Sequence, residues 1–248
     1  MDNEVIFRMQ SEIITTTLNL EHPSVKEVIA IAEDILNQNK VLNIQSLYNK
    51  AKKQLKIPKK GLVKIISLLL NKKILIEGSK YTKKTVLTNR VRYRILKYIE
   101  GNGAAYFSEI RRNILADDGD DLGSGQLIWH LEMLLKFKYI KKIKVGNYSV
   151  FLPIYIDDET GEIIFLLNDK VNREITKALL KREPIKQSEI YKIVSYKREN
   201  VYYRIKNLIF HQIIVVKEEI NSVISINPQK KNLVIQIIQE IRRIQDDP

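Results

Sequence analysis

Three stretches of the chain carry the same order of apolar and polar positions: LVKIISLLLNKKILIEG (62–78), LIWHLEMLLKFKYIKKIKVG (127–146) and VYYRIKNLIFHQIIVVKEE (201–219). With Leu62, Leu127 and Val201 superposed, Ile66, Leu131 and Ile205 coincide, and so do Leu69, Leu134 and Leu208. Apolar residues at i, i+4 and i+7 form one face of a helix. Each helix then passes through two or three polar residues into a β-rich stretch, ILIEG, YIKKIKV or IIVVKEE. Helix, short turn and strand are therefore predicted three times, at intervals of 65 and 74 residues. Such regular recurrence marks an internal repeat.

Upstream of each helix lies the rest of a shared plan. In the middle copy Thr88 or Asn89 caps a helix, RVRYRILKYIEG, that stops at Gly101, and Ser108 caps a second, SEIRRNIL. A third runs from Ser124 to about Phe137, and the strands YIKKIKV and YSVFLP are joined by Gly146-Asn147, with glycine where a tight hairpin needs positive φ. The last copy reads VNREITKALLKRE, Pro184, SEIYKIV capped by Ser188, and KRENVYYRIKNLIF, with a hairpin predicted around Asn221-Ser222. The first copy reads SVKEVIAIAEDILNQ, SLYNKAKKQL and KKGLVKIISLLL; its hairpin is clipped, because only KYT follows Gly78-Ser79.

Two further segments lie outside the repeat. DDETGE (157–162) is rich in turn residues and predicts a hairpin linking the second and third copies. KKNLVIQIIQEIRRIQDDP is an amphipathic helix whose stripe is Leu233, Ile237, Ile241 and Ile244, widened by Val234 and Ile238. Its simplest role is packing on the third copy; pairing two chains into a homodimer is the alternative. The implied boundaries are 1–86, 87–153, 154–168 for the linking hairpin, 169–228, and 229–248.

Composition narrows the chemistry. Lys and Arg number 42 against 29 Asp and Glu, a net +13, which favours a polyanionic partner. Residues 1–86 hold +7 of that excess, and Lys50, Lys52, Lys53, Lys56, Lys59 and Lys60 crowd one short stretch. Without cysteine there is no disulfide, thiolate chemistry or cysteine-ligated metal. No phosphate-binding glycine loop, dinucleotide fingerprint, nucleophile elbow or histidine pair at zinc spacing occurs, so an enzyme and a cofactor are not expected. DDGDD (117–121) clusters carboxylates around a glycine but lacks the spacing of a calcium loop. Neither a leader sequence nor an apolar run of membrane-spanning length is read, and a cytoplasmic location is expected.

The segments YFSEIRRNI…LGSGQLIWHLEMLLKFKYIKKIKVGNYSVFLP and IKQSEIYKIVSYKRENVYYRIKNLIFHQIIVV resemble the paired helix-turn-helix units of archaeal MarR/ArsR-like transcriptional regulators, over roughly residues 88–226. In that family a Gly-Ser/Thr-Gly opens a recognition helix with an aromatic-His pair, matched here by Gly123, Ser124, Gly125, Trp129 and His130. The resemblance implies a mainly α fold with small β-hairpin wings (α+β), namely three tandem winged helix-turn-helix domains plus a C-terminal helix. The chain departs from the pattern at DDGDD, at Tyr203-Arg204 in place of Trp129-His130, and in a first copy without an aromatic there.

A recognition helix docks by its apolar face and presents a polar flank to base edges in the major groove. In the middle copy that flank is expected to hold Ser124, Gln126, Trp129 and His130; in the third, Lys197, Arg198, Asn200, Tyr203 and Arg204, with Glu199 among them. Gln and Asn suit adenine, and Arg suits guanine. Lys141, Lys142 and Lys144 are expected to meet phosphate from the wing, with Lys142 and Lys144 on one face and Lys141 opposite. Two functions follow from this pattern. One is a sequence-specific regulator of double-stranded DNA. The other is a tandem winged-helix protein-interaction scaffold, ESCRT-II-like or polymerase-associated, to which Trp129 and the apolar Ile128 are equally suited.

Overall fold

The computed structural model describes residues 19–38, 40–115, 123–218 and 222–246. DDGDD, Asn221 of the last predicted hairpin and the side chain of Ile244 lie outside the described residues. The helices are α1 (Pro23–Asn37), α2 (Ile44–Gln54), α3 (Lys59–Asn71), α4 (Arg90–Asn102), α5 (Phe107–Leu115), α6 (Ser124–Lys136), α7 (Asp158–Asn168), α8 (Lys170–Lys181), α9 (Gln187–Val194), α10 (Arg198–Phe210) and α11 (Lys231–Asp246). The strands are β1 (Ala105–Tyr106), β2 (Ile140–Val145), β3 (Tyr148–Pro153), β4 (Ile185–Lys186), β5 (Ile214–Glu218) and β6 (Val223–Ile226). The described protein is thus mainly helical, with two antiparallel three-stranded sheets ordered β1-β3-β2 and β4-β6-β5. No helix among the described residues is long and apolar enough to cross a membrane. The chain divides into two compact units: residues up to Arg94 with Gly125–Tyr139, and Ile95–Ser124 with Ile140 onward.

In the first unit α1, α2 and α3 enclose one core. Helical spacing places Val25, Val28, Ala32 and Ile35 of α1 against Leu47 and Ala51 of α2 and Leu62, Ile65, Ile66 and Leu69 of α3. Burial of each large aliphatic side chain contributes about 1.5–3 kcal/mol relative to exposure. Asn43 caps α2, its Oδ1 accepting from the Ser46 amide at 2.8 Å, while Glu77 accepts from the Ile44 amide at 2.9 Å. The predicted strand ILIEG is a correction: it is a turn, with Lys73 at φ 55° and Gly78 at φ 72°. Leu42 donates to the Ser79 carbonyl and accepts from the Gly78 amide, and Lys83 donates to the Ile74 carbonyl, each at 2.8 Å. These isolated bonds at the two ends of the segment, with Leu75 between them spent on the core, do not extend into a ladder.

In the second unit a two-residue turn with Gly146 at φ 55° joins β2 to β3, with Val145 opposite Tyr148. The strands β1 and β4, which pair with β3 and β6, were not expected; two residues are too few to show an alternating pattern. The linking hairpin expected over 154–168 is also corrected, because the segment from Asp158 is helix α7. Asp157 is its N-cap, accepting from the Thr160 amide at 2.9 Å, with acidic residues in the first turn. Gly161 is there for close approach rather than for a turn: a Cβ on it would lie 2.2 Å from Leu152 of β3. Leu152, Ile163, Leu167, Ile175, Leu179, Ile205, Leu208 and Ile224 share one buried cluster drawn from both sheets, α7, α8 and α10. Val234 and Ile237 of α11 join it, with Leu233, Ile238 and Ile241 at its edge. Among the described side chains, the apolar stripe of the last helix therefore packs on its own unit from Leu233 to Ile241.

Candidate nucleic-acid interface

Within each of α6 and α10 the buried positions set the phase of the helix. On α6 these are Leu127, His130, Leu131 and Leu134; on α10 they are Val201, Ile205 and Leu208. The opposite flanks face solvent: Ser124, Gln126, Ile128 and Trp129 on α6, and Lys197 (the N-cap), Arg198, Glu199, Asn200, Tyr203 and Lys206 on α10. Most of the expected contact residues thus do share open flanks. Arg198 is held as well as exposed. Its guanidinium lies 5.2 Å from the Tyr202 ring centre and 5.8 Å from that of Tyr191, and Nη2 donates to the Tyr202 hydroxyl at 3.5 Å. Ser195 turns α9 into α10 through a left-handed φ of 55°.

Three expected contact residues are corrected. His130 is only 7% exposed, because it lies three residues after Leu127 and one before Leu131, on the docking face. Burial, reinforced by the Arg92 charge, lowers its pKa below the ordinary 6.5. Arg204 holds the same phase, three residues after Val201, and its Nη2 is paired with Asp169 Oδ2 at 2.8 Å. Lys141 is paired with Asp158 at 2.5 Å. The alternation expected for the strand holds: Lys142 and Lys144 are exposed while Lys141 and Ile143 turn inward.

Trp129 is 47% exposed but not free-standing. In the first unit the buried Arg92 guanidinium lies 5.1 Å from the Trp129 ring centre and 4.8 Å from that of Tyr81, and Arg92 Nε donates to the Val86 carbonyl at 2.6 Å. Cation–π contacts on both rings suit a guanidinium taken out of water. Sequence reasoning missed Arg92, although its spacing with Ile95, Leu96 and Ile99 is that of an apolar stripe. The lysine run of the first unit is largely uncommitted. Lys50 pairs with Asp34, whereas Lys52, Lys53, Lys56, Lys59 and Lys60 are exposed and in no ion pair among the described residues.

The second unit also contains a cleft that sequence reasoning did not find. It is about 830 Å³ in volume and bordered by α5, α8, α10 and the β2–β3 turn. At its edge the Tyr98 hydroxyl donates to Glu109 at 3.1 Å and accepts from Asn113 at 2.9 Å. Burial, with the Glu109 carboxylate beside it, pushes the Tyr98 pKa up to about 12. Tyr98 lies on α4 and Glu109 and Asn113 lie one turn apart on α5, and no spacing in the sequence joins the two helices.

No known protein-family model matches the chain, and no curated protein is significantly similar to it.

Proposed function

We propose that the protein is a regulator that binds double-stranded DNA, that its helix-and-hairpin repeats are tandem winged helices of the archaeal MarR/ArsR-like kind, and that α6 and α10 are its reading helices. The observation that carries this reading is the solvent-facing flank of both helices, set by the burial of the opposite face, polar on α10 and mixed with Ile128 and Trp129 on α6. Asn200 and Arg198 supply adenine- and guanine-compatible groups on the first turn of α10, and Gln126 and Ser124 do so on α6. Lys142, Lys144 and the lysines around α2 and α3 supply phosphate contacts. His130, Arg204 and Lys141 leave the reading set, because each is buried or paired within the protein.

The reading is tested by titrating the full chain onto labelled duplexes at several salt concentrations. Binding whose affinity falls linearly with log salt is expected, and each lost lysine–phosphate contact should lower the slope by about 0.9. Absence of duplex binding at low salt rejects it. One feature favours the second reading, a protein-interaction scaffold: Ile128 and Trp129 are adjacent, apolar and roughly half exposed on α6. Under that reading Ile128→Asp and Trp129→Ala disrupt a protein complex while duplex binding stays negligible.

A further inference from the structure

We propose that the cleft of the second unit binds a small anionic molecule carrying a planar heterocycle, of the nucleoside monophosphate class. Its volume, about 830 Å³, lies in the range of small-molecule sites. Charge on its lining is selective. Both lining carboxylates are committed, Glu109 to the Tyr98 hydroxyl and Asp169 to Arg204 and to the Asn172 amide at the start of α8. Arg112 and Lys170 line the same cleft, are exposed, and are in no ion pair among the described residues. The uncommitted charge is therefore positive, and it favours an anion.

The second character of the lining is aromatic. Tyr106, Tyr148 and Phe165 pack edge-on or tilted with ring centres 5.2, 5.5 and 6.0 Å apart, and Tyr148 remains 51% exposed. Such a cluster offers a π surface to a planar group. The third is polar. Two lining side chains each carry a buried atom without a hydrogen-bond partner, the acceptor Asn172 Oδ1 and the donor Arg204 Nε, and Asn172 itself is only 1% exposed. Buried polar atoms are ordinarily paired. A phosphate suits Arg112 and Lys170, and the planar heterocycle of a nucleotide suits the aromatic wall. A bare inorganic anion leaves the aromatic wall unused, and an uncharged nucleoside leaves the cations unused.

The site stands on this geometry alone. Its consequence, that a ligand against Arg204 and Asn207 adjusts the helix that reads DNA, rests on the function proposed above. The test is calorimetric titration of the full chain, without DNA, with AMP, GMP, CMP and UMP, and with adenosine and inorganic phosphate as comparison probes. At least one nucleotide should bind with one-to-one stoichiometry and more tightly than either comparison probe. The double variant Arg112→Ala/Lys170→Ala, which alters only exposed side chains, should weaken it by at least about tenfold, as should Tyr148→Ala. Three outcomes overturn the proposal: no nucleotide binds at millimolar concentration, binding is unchanged in a variant that keeps its melting temperature, or phosphate or adenosine alone binds as tightly as the nucleotide. Duplex binding is measured on the same samples. A chain that binds duplex but no nucleotide loses only the cleft, and one that binds nucleotide but no duplex loses only the DNA reading.

Discussion

Arg204 of α10 and Asp169 at the start of α8 form an ion pair of 2.8 Å, and Asp169 also caps α8 by accepting from the Asn172 amide at 3.0 Å. One carboxylate thus fixes a helix terminus and the arginine that sequence spacing had assigned to DNA. Asp169→Asn keeps an N-cap and loses the charge; Asp169→Ala loses both. Because the pair is partly exposed, Asp169→Asn is expected to cost at most about 1 kcal/mol. Asp169→Ala should cost about 1 kcal/mol more, as loss of a cap does. Urea denaturation of the two variants checks this order.

Gly161 supplies a second stability test. A methyl group there meets Leu152 side-chain atoms at 2.2–3.0 Å, so helix and sheet must separate or Leu152 must leave its rotamer. Gly161→Ala is expected to destabilise the protein by about 1–3 kcal/mol, despite the higher helix propensity of alanine. A gain in stability would show that α7 does not pack against β3 as described.

His130 makes the first unit sensitive to acid. Its folded-state pKa lies below the ordinary 6.5, so the unfolded chain binds the proton more readily. The stability that the neutral imidazole contributes is present above about 6.5 and is lost as pH falls through the lower folded value. The sole tryptophan, Trp129, has its ring centre 4.9 Å from that of His130 and reports the change by fluorescence. The urea midpoint of the wild type should fall between about pH 7.5 and 5.5, and His130→Leu should reduce that fall. An equal fall in both proteins would assign the sensitivity to other groups.

Much of this structure was legible as periodicity. The helices from 24–38, 59–70, 90–101, 124–137 and 197–210 are close to their predicted spans, and Gly146-Asn147 turns the hairpin it was expected to turn. Misreadings arose where one residue type serves two purposes. Asp157 and Gly161 suggested a turn, but a capping aspartate and a glycine at a close approach use the same letters. His130, Arg204 and Arg92 were misplaced or overlooked because polarity was given more weight than phase, although each sits three residues from an apolar anchor. Arg204 with Asp169 and Lys141 with Asp158 join positions 35 and 17 residues apart, and nothing local in the sequence pairs them.

The proposed separation of reading residues from structural ones is open to direct measurement. Duplexes bound by the full chain are selected from a random pool at low and at high salt, in parallel for the wild type, Arg198→Ala/Asn200→Ala and Arg204→Ala. The account predicts a motif that persists at high salt for the wild type. It also predicts loss of preference at adjacent positions in the double variant, with about 1–3 kcal/mol of discrimination per contact, and an unchanged motif in Arg204→Ala. No enrichment by the wild type, or a motif unaltered by loss of Arg198 and Asn200, would contradict it.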